Sequence, residues 1–67
     1  MDTNKVIILA RKNLGGCMES SARLCLQDAV DLQADGRLDY AKARAIASLA
    51  YSVGVFHPDY IRASKGL

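Results

Sequence analysis

One long run of small and apolar residues, between Asp39 and Phe56, constrains the fold of this chain more than any other segment. Its alanine content and lack of proline predict an α-helix of about five turns. One edge of this helix carries bulky side chains, namely Ile46, Leu49, Val53 and Phe56. The adjoining edge carries small residues, namely Ala43, Ala47, Ala50 and Gly54. A helix that is apolar around about half its circumference needs neighbours on two sides.

The chain is too short to provide all of those neighbours easily. It has 67 residues, of which 51% are hydrophobic, and it can form only one domain. A domain of this size buries about 60% of the surface that its unfolded chain exposes. A single core below roughly 70–80 residues rarely contributes more than about 3–5 kcal/mol. We therefore expect the surplus of apolar residues to be buried by self-association, most simply in a homodimer.

The predicted fold class is all-α, a small bundle built on an antiparallel helical hairpin. The hairpin comprises residues 17–34 and 39–56, with a short helical segment at each end of the chain. Residues 4–14 favour a helix that Asp2, Thr3 or Asn4 can cap, although Val6–Leu9 has the β-branched character of a strand. Gly15 and Gly16 predict a turn or kink, and an unbroken helix through them stays an alternative.

A heptad-like seam defines the first helix of the hairpin; its members are Met18, Ala22, Cys25, Ala29 and Leu32. Leu24 falls on the opposite, polar side and is a candidate contact for another chain. Gly36 stands where a left-handed residue ends a helix, so we expect its φ to be positive. Asp39 is the predicted N-cap of the next helix, with Leu38 packing on Ala43.

After Phe56, proline at position 58 predicts the start of a new helix over about residues 59–64. This helix should fold back onto the hairpin through Tyr60 and Ile61. His57, the single histidine, precedes it and is expected to cap it or to lie exposed. Residues 65–67 should fray, as chain ends commonly do.

The turn of the hairpin resembles a known family. The run Leu32-x-x-x-Gly36-x-x-x-Tyr40-Ala41 is similar to the turn inside a tetratricopeptide-type helical pair. The resemblance covers one pair, about half of the chain, without a second repeat, and the proline that should close the pair is displaced to Pro58. We do not assign the chain to that family. The resemblance implies a hairpin of the kind that often forms protein-contact surfaces.

The residues that could carry chemistry are few, and their spacing matches neither a metal site nor a catalytic one. Cys17, Cys25 and His57 are the only soft metal ligands, and no two of them have chelating spacing. Cys25 is expected to act as a small core hydrophobe. We therefore predict no catalysis, cofactor or metal. Without a secretory signal pattern, the thiols should be reduced in a cytoplasmic protein, and the apolar run of residues 6–10 is too short for a membrane span.

The sequence is compatible with two candidate functions. The first is a regulatory or scaffold module that acts through protein–protein interaction, with an unidentified protein partner. Its candidate self-association interface comprises Ala43, Ala47, Ala50, Gly54 and Leu24. The alternative is a dimer that binds nucleic acid through the basic side chains of paired helices. The candidate contacts in that case are Arg11, Lys12, Arg23, Lys42 and Arg44.

Overall fold

Four helices make up the computed structural model, which describes residues 1–65. They are α1 (Thr3–Leu14), α2 (Ser20–Ala34), α3 (Leu38–Ser52) and α4 (Pro58–Ser64). No strand occurs in that range, so the predicted all-α class is confirmed. Helices α2 and α3 form the predicted hairpin and share the most extensive packing, while α1 and α4 also pack on α3. The fraying predicted for Gly66 and Leu67 lies outside the described residues.

The N-terminal segment is a helix, and the strand alternative is wrong. The Asp2 carboxylate accepts a hydrogen bond of 2.8 Å from the Lys5 amide, which satisfies a donor of the first turn. The helix ends at Gly15, whose φ of 44° is left-handed. The Cys17 amide then donates to the Leu14 carbonyl across the turn. The chain is therefore broken at the glycine pair, as predicted.

Helix α2 begins at Ser20, three residues later than predicted. The Glu19 carboxylate accepts a 3.0 Å hydrogen bond from the Ser21 amide and so caps the helix. Cys17 and Met18 consequently lie in the link, and Met18 is 86% exposed, so its predicted place in the seam is wrong. The other seam positions follow the prediction, being buried or half-buried at Ala22, Cys25, Ala29 and Leu32.

The turn between α2 and α3 has the predicted geometry at Gly36, whose φ is 79°. The Arg37 amide donates to the Leu32 carbonyl at 2.9 Å, and the Gly36 amide donates to Gln33 at 3.0 Å. This pair of bonds is a Schellman motif, which uses carbonyls left unpaired at a helix end. The N-cap of α3 is Arg37, without a side-chain bond. The N-cap prediction for Asp39 is therefore wrong, because that carboxylate lies inside the first turn, where it favours the positive helix end.

Helix α3 ends at Ser52, four residues before the predicted end at Phe56. Gly54 has a φ of 95°, and its amide bonds back to the Leu49 carbonyl at 3.3 Å. The chain therefore leaves the helix before Phe56, which is 91% exposed. The prediction that Phe56 continues the bulky edge is wrong. Ile46 and Leu49 on that edge are buried, as expected.

All four helices contribute side chains to one apolar core. Its buried members are Val6, Ile7, Ala10, Leu26, Ala29, Ala45, Ile46, Leu49 and Ala63. The small residues of α3 that are buried are Ala41, Ala45 and Ser48, whereas Ala43 is exposed. The Cα trace measures 27 × 24 × 14 Å. The side of α3 turned away from the core is uncovered at Tyr40, Ala43 and Tyr51, which are exposed.

Helix α4 is attached to the end of α1 by polar contacts. The Asn13 amide group donates to the Asp59 carboxylate at 2.9 Å. The His57 ring nitrogen Nδ1 accepts a 3.0 Å bond from the Asp59 amide, so the predicted histidine cap is confirmed. Tyr60 packs against the core, but Ile61 remains half exposed. The fully buried side chain of this helix is Ala63 rather than Ile61.

Candidate interaction surfaces

The outer side of α3 presents a continuous row of exposed and half-buried side chains. Its members are Tyr40, Ala43, Ala47, Ala50 and Tyr51, where each residue lies three or four positions from another member and Tyr51 lies four after Ala47. Such spacing places side chains on one side of a helix. We call this row the α3 face. It contains three of the five residues predicted as an oligomer interface, while Gly54 lies beyond the helix end and Leu24 lies on α2.

The α3 face has small side chains at its centre, between two tyrosines. Ala43 is exposed and Ala47 and Ala50 are half-buried. The exposed Arg44, four residues after Tyr40 and three before Ala47, borders these alanines on the same side of the helix. Tyr40 is 63% and Tyr51 56% exposed. The Arg37 guanidinium lies 4.8 Å from the centre of the Tyr40 ring, within cation–π range. Sequence reasoning missed both tyrosines, although their spacing from Ala47 marks them as members of the same row.

A groove of about 410 Å³ lies between the end of α1 and the beginning of α2. We call it the arginine groove. Apolar side chains form much of its lining, namely Leu14, Leu24, Leu26 and Val30. Two cations, Arg11 and Arg23, also line it, together with Gln27. Leu24, which sequence analysis singled out as misplaced on a polar face, is 64% exposed here.

A second groove, of about 480 Å³, lies on the other side of α2, next to α3. Three carboxylates line it, from Asp28, Asp31 and Asp35, with Leu32 and Arg44. The helical spacing of the three aspartates places their negative charges on one side of α2. Arg44 therefore shares this groove with three carboxylates. Among residues 1–65, no group of three or more histidine, cysteine, aspartate or glutamate side chains is arranged to hold a metal ion.

The structure brings together only two of the five side chains predicted to contact nucleic acid. Arg11 and Arg23 share the arginine groove, whereas Arg44 lies in the acidic groove. Lys42 is half-buried, and its position two residues before Arg44 directs it to nearly the opposite side of α3. Lys12 follows Arg11 and projects from α1 about 100° away. Binding of nucleic acid stays a prediction, without a continuous basic face to support it.

The potential nucleophiles and bases have structural contacts. Cys25 is buried, as expected of a small core hydrophobe. Cys17 is half-buried in the link before α2, and its sulfur accepts from the Glu19 amide. His57 uses Nδ1 to cap α4. A thiol–imidazole pair would need a hydrogen bond between the two groups, whereas the bonds of the Cys17 sulfur and of His57 Nδ1 within residues 1–65 come from backbone amides.

One carboxylate has a shifted pKa. The hydrogen bond from the Asn13 amide, and next the bond from Arg62, hold the pKa of Asp59 below its usual value of 3.8. Both donors favour the charged form of the carboxylate. The Arg62–Asp59 contact, at 2.6 Å, is the one ion pair that occurs within residues 1–65. The Asn13–Asp59 bond joins α4 to α1, and the Arg62–Asp59 pair lies within α4, so both contacts are structural.

Comparisons with protein families, with curated proteins and with solved structures found no match to this chain. The tetratricopeptide-like turn therefore remains a local resemblance. Within the described part of the chain, no helix combines the length and apolar character needed to cross a bilayer. The case for function consequently depends on the two surfaces, the α3 face and the arginine groove.

Proposed function

We propose that this chain is a small cytoplasmic interaction module, without catalytic activity, that self-associates through the α3 face. The observation that carries the proposal is the group of exposed and half-buried alanines on that face, between two exposed tyrosines. Small residues let two helices approach closely. Tyrosine is enriched in protein interfaces, because its ring is apolar and its hydroxyl can still reach water.

The order of residues along the α3 face suits pairing with a second copy. An antiparallel arrangement about a two-fold axis near the middle of α3 would set Ala43 against Ala47 of the second copy. The same axis would place Tyr40 near Tyr51 of the second copy. Such an isologous interface requires one surface to be complementary to itself, and a row with small residues inside and tyrosines at both ends meets that requirement.

The non-catalytic and cytoplasmic parts of the proposal have their own support. Cys17 and Cys25 are free thiols, as is typical of proteins in reducing compartments. The histidine nitrogen Nδ1, which could otherwise serve as a base, accepts the bond that caps α4. Two arginines line the arginine groove, and arginine is enriched at protein interfaces.

Sedimentation equilibrium of the wild type and of Ala47→Glu tests the proposal. We expect the wild type to be a dimer at about 100 µM and Ala47→Glu to be a folded monomer, because a buried unpaired charge would oppose the contact. Ala34→Glu is the matched control, since this exposed alanine lies at the end of α2. Circular dichroism should show native helix content in both variants. A wild type that stays monomeric at that concentration would overturn self-association.

A further inference from the structure

We propose that the arginine groove binds a short acidic segment of a partner protein, one that presents leucine-like side chains beside carboxylates. This inference rests on the proposed interaction function and adds a partner class to it. It uses a surface separate from the α3 face, so one chain could pair with itself and hold a partner at the same time.

The shape and lining of the groove fit an apolar side chain from another molecule. Leu26 forms a buried part of the lining, and Leu14 and Val30 are half-buried. Leu24 is largely exposed at the same place. An apolar side chain that entered the groove would remove surface from water on both molecules. Leu24 would then be covered, although it lies on an otherwise polar side of α2.

The charge of the groove indicates which polar groups the bound segment should carry. Arg11 and Arg23 line it, and no acidic side chain of the described residues does. Neither arginine is within ion-pair distance of a carboxylate of residues 1–65. The ion pair that occurs in that range joins Arg62 to Asp59. Arginine can bind a carboxylate through two parallel hydrogen bonds. The occupant that matches both features therefore has carboxylates flanking an apolar side chain.

A nucleic acid fits the same surface less well. Phosphates would bind the two arginines. The apolar side chains of the lining, however, carry no positive charge that could neutralise the next phosphates of the nucleic-acid backbone. Any extension around α2 meets Asp28, Asp31 and Asp35, which repel phosphate. Affinity for nucleic acid increases with the number of phosphates neutralised, and a groove with two cations neutralises few. A short acidic peptide needs only the groove itself.

Fluorescence anisotropy with a labelled helical peptide, carrying two leucines one turn apart and three flanking glutamates, tests this inference. The wild-type protein should bind it, and two control peptides, with lysine for glutamate or serine for leucine, should bind at least about tenfold more weakly. Arg23→Glu should weaken binding by at least about tenfold, as expected for the loss of a charge-assisted contact. Leu24→Ser should weaken it severalfold. Arg44→Glu reverses a charge in the other groove and should leave binding unchanged.

Several outcomes would overturn the inference. Equal binding of the glutamate and lysine peptides, or equal binding to Arg23→Glu and wild type, would exclude the groove as an acid-binding site. Displacement of the peptide by single-stranded RNA at a lower concentration than by unlabelled peptide would assign the groove to nucleic acid. A shift from dimer to monomer in Leu24→Ser would assign it to a second copy of the chain. Because Ala47→Glu leaves the groove intact, its monomer should still bind the peptide, so failure of self-association and failure of peptide binding are distinguishable.

Discussion

The hydroxyl of Ser48 donates a 2.8 Å hydrogen bond to the backbone carbonyl of Ala22, and this bond joins α3 to α2 inside the core. Ser48 is completely buried. Ala22, opposite it, is also completely buried, so the two helices approach through small side chains at this position. The bond leaves no unsatisfied hydroxyl, which would be unfavourable in the core.

This contact predicts that Ser48 tolerates loss of its hydroxyl better than an increase in size. Ser48→Ala should lower the free energy of unfolding by about 0.5–1.5 kcal/mol, the usual contribution of one hydrogen bond. Ser48→Leu should lower it by about 1–3 kcal/mol or more, because overpacking forces the helices apart. Urea denaturation measures both. Ser52→Ala is the control, since the Ser52 hydroxyl bonds only within its own helix. Equal effects of Ser48→Leu and Ser48→Ala on stability would contradict close packing at position 48.

The positive φ of Gly36 predicts a conformational effect without a steric one. No atom outside its neighbours lies within 4 Å of a Cβ built at this glycine. Gly36→Val should therefore lower the free energy of unfolding by about 1–2 kcal/mol, solely because a β-branched residue disfavours the left-handed region. Thermal denaturation measures the change.

Gly16 provides the matched control for that substitution. It has no left-handed φ, and the space around its missing Cβ is open. Gly16→Ala should raise stability by about 0.4–1 kcal/mol, because alanine restricts the unfolded chain. An unchanged melting temperature in Gly36→Val would show that residues 31–37 can form another turn.

The contact between Asn13 and Asp59 predicts a pH dependence of stability at acid pH. The folded state holds the pKa of Asp59 below 3.8, so the folded protein binds the proton less readily than the unfolded chain does. The resulting stabilisation is fully present above that value and is lost as pH falls through the folded pKa. Urea denaturation between about pH 6 and pH 2 should show this loss.

Asn13→Ala removes the main cause of the shift and should make the acid limb of this profile shallower. Arg62→Ala should have a smaller effect, because it removes the second cause and an ion pair with an exposed partner. Side-chain NMR titration of Asp59 measures the pKa directly. An Asp59 pKa that is unchanged in Asn13→Ala would contradict the role assigned to that hydrogen bond.

The helix boundaries that could be predicted from the sequence are those set by local backbone chemistry. Gly15 and Gly36 end their helices at the predicted places because glycine adopts a positive φ without strain. The same chemistry acts at Gly54, but sequence analysis treated this glycine as one more small interface residue. The predicted end of the helix, at Phe56, therefore lies four residues beyond the observed end of α3 at Ser52. A glycine near the end of a helical pattern is itself the signal of a C-terminal cap.

The rotation of α3 could not be predicted from the sequence with the same certainty. Alanines occur all around this helix, and each can face inward or outward with little difference in transfer free energy. Ala41 and Ala45 are buried, and Ala43 is exposed. Ser48 is polar, and polar residues are usually exposed, yet it lies in the core. Only its hydrogen-bond partner on α2, known from tertiary packing, shows why it faces inward.

The two candidate surfaces differ in how far sequence could reveal them. The α3 face follows from helical spacing, and only its tyrosines were missed. The arginine groove combines Arg11 from α1 with Arg23 and Leu24 from α2, and nothing in the linear order indicates that these residues meet. Leu24 carried the one usable signal, a leucine on a polar helix face. Its neighbours depend on how α1 crosses α2.

The last prediction is that thermal stability increases with protein concentration. If the α3 face is buried in a dimer, association stabilises the folded state, and each tenfold rise in concentration adds up to about 1.4 kcal/mol per dimer. For a domain of this length the melting temperature should rise by several degrees between about 5 and 500 µM. Ala47→Glu should melt at a temperature independent of concentration, whereas the Ala34→Glu control should behave like the wild type. Differential scanning calorimetry at several concentrations measures the melting temperatures of the wild type and both variants. A constant melting temperature in the wild type would show that α1 and α4 cover the core of a single chain without a second copy.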